Sequence, residues 1–213
     1  MVISKPIIVP ASSSARVAAI AKKAIHVIDE YEDQLRELFA VRNPMLKRNP
    51  AALAVRTEEF VSETARRTPL KAQGSWAYFP WSRELVHVLA HDAFYELRTA
   101  RNRNLITSNE QAVLRTAAIG VAGMSVGSSA VAALVLEGTE HVRIADFDTL
   151  SVSNLNRIRA SVAHLGLNKV EIAARALYGL HPYLHLDTFP TGLTAASLKK
   201  FVAGPPRLAV LVD

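Results

Sequence analysis

The run Thr116–Leu136 carries no charge, yet its middle gathers Gly120, Gly123, Ser125, Gly127, Ser128 and Ser129. Two folded forms suit such a run. As one continuous helix it is long enough to enter a membrane, and Gly123-Met-Ser-Val-Gly127 fits the small-xxx-small spacing of paired membrane helices. As strand, tight turn and helix, it spends the Gly/Ser cluster on the turn and leaves apolar stretches on either side. The second form places the cluster where it is useful, so the expectation is a short strand Ala117–Ala122 followed by a helix Val126–Glu137, with no membrane span.

The residues that follow repeat the alternation. His141–Asp146, His185–Phe189 and Leu208–Val212 read as strands, and Lys169–Leu180 and Thr194–Ala203 as helices. Strands alternating with helices predict βαβ units and a parallel sheet. The fold class is therefore α/β: a Rossmann-like, mostly parallel sheet over residues 113–213. The sheet reads as incomplete, because a loop and helix normally follow a strand such as Leu208–Val212.

Upstream, residues 1–112 read as a helical region. Ser12, Ser13 and Ser14 can cap a helix carrying Val17, Ile20, Ala24, Ile28, Tyr31, Leu35 and Phe39 on one face. A second helix is expected over Ala52–Arg67 and a third near Ser82–Thr99. Between them, Trp76, Tyr78, Phe79 and Trp81 form an aromatic loop that either seals a core or stacks bases. Thr107 and Glu110 form a capping box. His87 and His91 stand one helical turn apart, a metal-pair spacing, but no Glu follows His87 and core or surface roles suit them better.

Composition sets limits on function. Half of the 213 residues are hydrophobic and 21% are charged, which excludes a disordered or fibrous chain. There is no cysteine, so disulfides, a thiol nucleophile and cysteine-bound zinc are excluded within this stretch. The net charge of +6 favours nucleotides, nucleic acid or acidic partners. Met1–Pro10 lacks the apolar run of a signal peptide, and a cytoplasmic protein is the expectation.

The chemistry begins at Gly120-Val-Ala-Gly123-Met-Ser-Val-Gly127. A turn with little side chain lets phosphate oxygens approach backbone N–H groups at a helix N-terminus. Gly123 and Gly127 also have a plainer use, in tight helix–strand packing. Asp146 ends the next strand at the offset of the acid that bonds a ribose hydroxyl in dinucleotide folds. Further on come Asp146-Phe-Asp-Thr-Leu-Ser-Val-Ser-Asn-Leu-Asn-Arg157, then Gly166-Leu-Asn-Lys169-Val-Glu, then Leu180-His-Pro182.

From about residue 98 onward this stretch resembles the ThiF/MoeB superfamily, which includes the ubiquitin-activating enzymes. The resemblance implies an ATP site with Mg²⁺ that adenylates a carboxylate. The usual substrate is the C-terminal glycine of a ubiquitin-like or sulfur-carrier protein, and tRNA is not excluded. It further implies that Asp146 holds the ribose, that Gly123, Ser125 and Gly127 line the phosphate turn, and that Asn154 and Arg157 contact phosphates. Lys169 would stabilise charge passing onto pyrophosphate. Arg98-Thr-Ala-Arg101-Asn resembles the segment whose second arginine reaches the neighbouring subunit's nucleotide in a homodimer. Arg101 is the candidate and Arg103 the alternative register.

Three departures stand out. Matched backward from Asp146, the family's four glycine slots hold Ala122, Met124, Ser125 and Gly127, and the Ser125 hydroxyl can stand in for an N–H contact. The family's Mg²⁺-binding Asp lies just past the last strand, where Asp213 aligns with an earlier acid. Its zinc-binding and acceptor cysteines would lie farther downstream. Two other functions share the Gly turn and Asp146. One is a non-catalytic nucleotide-binding partner subunit; the other is an NAD-binding oxidoreductase module, which has no need of Asn154, Arg157 or Lys169.

Overall fold

The computed structural model describes residues 3–212, and Asp213 lies outside them. It divides into two compact units, residues 6–100 and residues 101–212 together with residues 3–5. Helix α5 (Ser108–Thr116), opened by the expected Thr107–Glu110 capping box, belongs to the second.

The first unit is more than helical. Its elements are β1 (Ile7–Pro10), α1 (Ser14–Ala21), β2 (His26–Ile28), α2 (Tyr31–Arg42), α3 (Pro50–Arg67), β3 (Ser75–Phe79), β4 (Glu84–Val88) and α4 (His91–Arg98). The strands form a sheet in the order β1-β3-β4-β2. β3 runs antiparallel to β1 and β4, whereas β2 runs parallel to β4. The expected long first helix is thus split by β2. Trp76, Tyr78 and Phe79 of the aromatic loop lie in strand β3, with Trp81 in the turn beyond it, and the expected third helix is β4 followed by α4. For the two expected helices, apolar residues three and four apart satisfy a helical period by coincidence. Cross-strand pairing of aromatic and β-branched side chains decides the outcome.

His87 shows what the pairing achieves. It lies on β4, fully buried, opposite Trp76. Its imidazole is stacked between the rings of Trp76 and Tyr31, with centroids 4.3 and 4.2 Å away. Its Nδ1 lies 2.7 Å from Asp29 Oδ1, and its Nε2 lies 2.7 Å from the Gln73 carbonyl. Both ring nitrogens are used by protein acceptors, and His91 starts a different element. The helical metal-pair spacing is therefore absent. Gly74 makes the stack possible: at φ +66° it brings the backbone so close that a Cβ would lie 2.4 Å from the Val88 oxygen and 2.5 Å from Tyr31 Cε2.

The second unit has the expected alternation: β5 (Ala118–Ala122), α6 (Gly127–Glu137), β6 (His141–Ala145), α7 (Lys169–Leu180), β7 (His185–Phe189), α8 (Ala195–Ala203) and β8 (Leu208–Val212). All pairings are parallel, in the order β7-β6-β5-β8. The chain lays strands outward to β7, then returns to place β8 on the other side of β5. Ligands in such folds bind beyond the carboxyl ends of the strands near this reversal.

Two buried charged groups anchor this sheet. Arg143 on β6 donates to the carbonyls of Phe201, Gly204 and Pro206 at 2.8, 2.6 and 2.6 Å, tying the end of α8 to the sheet. At the amino end of β6, Glu140 accepts from Arg115 Nε and lies 2.8 Å from His181 Nε2. Among the described residues no helix is long and apolar enough to cross a membrane.

Two glycines test the packing argument in opposite directions. Gly74→Ala should destabilise the protein by about 1–3 kcal/mol, since both its backbone angle and its space exclude a methyl group. Gly179→Ala, in α7 with nothing near its Cβ position, should stabilise it by about 0.5–1 kcal/mol. Urea midpoints measure both; shifts of the same sign would contradict the account.

Candidate functional site

At the end of β5 the chain turns through Gly123, whose φ is +81° and whose Cβ position is open space. Its N–H donates to the Ala145 carbonyl at 2.8 Å. Gly127, the first residue of α6, is needed for a different reason: a Cβ there would lie 2.6 Å from Val121 Cγ1. The two readings of the glycine pair therefore divide between the two residues, with Gly123 making the turn and Gly127 the helix–strand packing.

Asp146, just past β6, holds the turn in place. Its Oδ2 accepts from the Met124 N–H at 2.7 Å and its Oδ1 from the Asp148 N–H at 2.8 Å. The residue is 7% exposed. One carboxylate thus fastens the turn after β5 to the loop after β6. Each oxygen retains a lone pair beyond these bonds. Asp148, which the sequence reading passed over although it stands in the same Asp-Phe-Asp motif, is the exposed acid of the two.

The segment after Asp148 leaves the sheet and returns to α7. Its neck is closed by backbone bonds: Lys169 N–H to the Asp148 carbonyl, Leu150 N–H to Leu167, and Gly166 N–H to Leu150, all at 2.8–2.9 Å. Asn168 caps α7 by accepting from the Val170 N–H. Lys169, the first residue of that helix, is 6% exposed and donates from Nζ to Asp148 Oδ2 at 2.7 Å. The structure therefore brings the Gly123 turn, Asp146, Asp148 and Lys169 together.

The other candidates stand on the loop or away from it. Asn154 accepts from the Ser151 N–H and hydroxyl, both at 3.0 Å, and so shapes a short 3₁₀ turn. Arg157 is exposed, 3.0 Å from Asn156 Oδ1. Arg101 and Arg103 are exposed in the 3₁₀ turn Ala100–Asn104. Neighbouring Asn102 anchors that turn by donating to the Glu137 carbonyl at 3.0 Å. Ser125 is half-buried, and its carbonyl accepts from the Ser128 hydroxyl.

Met124 fills a slot where the ThiF/MoeB resemblance expects glycine. Its side chain is 1% exposed and turns inward between α6 and α7. It leaves the outer side of the turn to backbone groups.

Residues 99–213 match the ThiF family. The chain belongs to the ThiF family. A Mycobacterium tuberculosis protein called uncharacterized protein MT1398 is 43% identical over 130 residues, covering 61% of this chain and 18% of that one. The molybdopterin-synthase adenylyltransferase of Haemophilus influenzae is 30% identical over 96 residues, covering 45% of this chain and 37% of its own. Among solved structures, E. coli tRNA N6-threonylcarbamoyladenosine dehydratase, TcdA, in complex with AMP, superimposes with a TM-score of 0.50 at 25% identity, covering 55% of this chain and 48% of that one. The chain spans less than half the length of these relatives.

The Asp146 clamp generates a direct test within this ThiF domain. Asp146→Asn replaces one acceptor oxygen with an amide that only donates, setting N–H against N–H. The substitution should cost about 1.5–3 kcal/mol of stability. Hydrogen exchange at the Met124 or Asp148 amide should accelerate as well. Unchanged protection at both amides would show that the carboxylate does not hold the turn.

Proposed function

We propose that this ThiF-family domain binds ATP and transfers its adenylyl group to a carboxylate. The single observation that carries the reading is the closed neck of the loop 148–168, which sets the Lys169 ammonium on Asp148, two residues from the Asp146 that holds the Gly123 turn. A carboxylate oxygen attacking the α-phosphorus brings anion to anion. The bond to the β-phosphate bridge breaks, and pyrophosphate leaves with the electron pair. Fixed cations and backbone N–H groups must offset that charge.

In this reading the Gly123 turn, Ser125 and the N-terminus of α6 cradle phosphates. Asp146, with Asp148 beside it, faces the ribose. Lys169, Asn154 and Arg157 serve the phosphates, the last two by movement of the exposed loop. A second copy of the chain supplies Arg101. Mg²⁺ accompanies ATP, and no described residue is assigned to it. The carboxylate belongs to a protein, a peptide or a modified RNA. The relatives' names support this range: one is an adenylyltransferase for molybdopterin synthase and another a tRNA threonylcarbamoyladenosine dehydratase.

Exchange of labelled pyrophosphate into ATP in the presence of the acceptor tests the proposal. Lys169→Ala and Arg157→Ala should each suppress exchange roughly 10²–10³-fold. Full exchange surviving Lys169→Ala would sink the assignment. ATP binding without exchange for any acceptor would make the domain a nucleotide-binding partner subunit.

A further inference from the structure

The first unit's sheet ends on one side in β1 and on the other in β2. Pro6 and Pro10 flank the β1 edge, and proline has no N–H to offer a further strand. β2 has no such guard. Its ladder runs to β4 alone, so its outer edge presents backbone groups to another strand. Ile25, Val27 and Ile28 are 58%, 56% and 41% exposed there.

The segment around β2 reads Lys22-Lys23-Ala24-Ile25-His26-Val27-Ile28-Asp29-Glu30. Each charge suits a helix end: the lysines follow α1 and the acids precede α2. The same placement makes the chain positive before β2 and negative after it. Reversed, the order is its own complement. An antiparallel copy centred on His26 sets Lys22 against Glu30, Lys23 against Asp29, Ala24 against Ile28 and Ile25 against Val27. A parallel copy sets like charge on like. Among the described residues Lys22, Lys23 and Glu30 make no ion pair within the chain, so their charges are available to a partner.

We propose that β2 pairs with β2 of a second copy of this chain, antiparallel about a twofold axis at His26, joining the two sheets edge to edge. Backbone hydrogen bonds supply attraction, the apolar residues cover one another, and the charged ends fix direction and register. A strand of three residues buries little beside the ~1,200 Å² of a stable interface, so the dimer is weak and forms as concentration rises. The proposal concerns the first unit and is independent of the adenylation reading.

Sedimentation velocity of the 213-residue chain over a concentration series tests it. Reversible association with a Kd of about 1 mM or tighter is expected. Val27→Lys, at an exposed position, puts a charge into the apolar pair and should abolish this association. Lys22→Glu and Glu30→Lys should each weaken it roughly 5-fold or more, since each turns two attractions into repulsions. Asp29 is left in place because its carboxylate serves His87. An equimolar mixture of the two charge variants should recover the native association, because each reversed end then faces its opposite on the partner. Monomers at every concentration, association indifferent to Val27→Lys, or a mixture that associates no better than either charge variant alone would overturn the proposal.

Discussion

One carboxylate organises the second unit's functional end. Asp146 accepts a backbone N–H from the turn after β5 and another from the loop after β6. Two parallel neighbours are thereby fixed to each other where the ladder ends. Hydrogen bonds to a charged acceptor are among the stronger ones in a folded protein, and burial strengthens them further. Gly123 can hold its left-handed conformation because its neighbours are pinned: its own N–H goes to Ala145 and the next one to Asp146. The Asp148 carbonyl then receives the first N–H of α7, so the same few residues set where Lys169 begins. The binding role proposed for this turn needs its backbone ordered before a ligand arrives, and this chain of bonds supplies that order.

The first unit depends on a different interaction, the stacking of His87 between Trp76 and Tyr31. Two acceptors, the Asp29 carboxylate and the Gln73 carbonyl, face its ring nitrogens. Gln34 completes the join by donating to the His87 carbonyl and accepting from the Leu89 N–H. The loop before β3, the end of β4 and the start of α2 meet at this one ring.

The second unit was largely legible in its sequence. Its strands are short apolar runs separated by glycines, caps and helices, and a buried parallel sheet permits little else. The first unit was not. Leu85, Val88 and Leu89 fit a helix as well as they fit a strand leading into another element, and Val27 and Ile28 lie in phase with the helices around them. Only their partners on other strands break the tie, and those partners are distant in sequence. At the site, the Asp-Phe-Asp motif marked the right place but did not reveal which acid is buried and which exposed. That difference arises from Met124 and Lys169, far along the chain from either acid. Arg143 left no signal beyond a lone cation in an apolar strand.

Phosphates proposed to sit at the turn that Asp146 orders, with Lys169 alongside, suit a nucleoside triphosphate. A dinucleotide has no use for the cations of the loop 148–168. Calorimetric titration of the 213-residue chain with Mg·ATP and, separately, with NAD tests this most directly. The account predicts saturable heat from ATP and none from NAD, with the ATP signal lost in Asp146→Ala. Saturable binding of NAD without binding of ATP would contradict it.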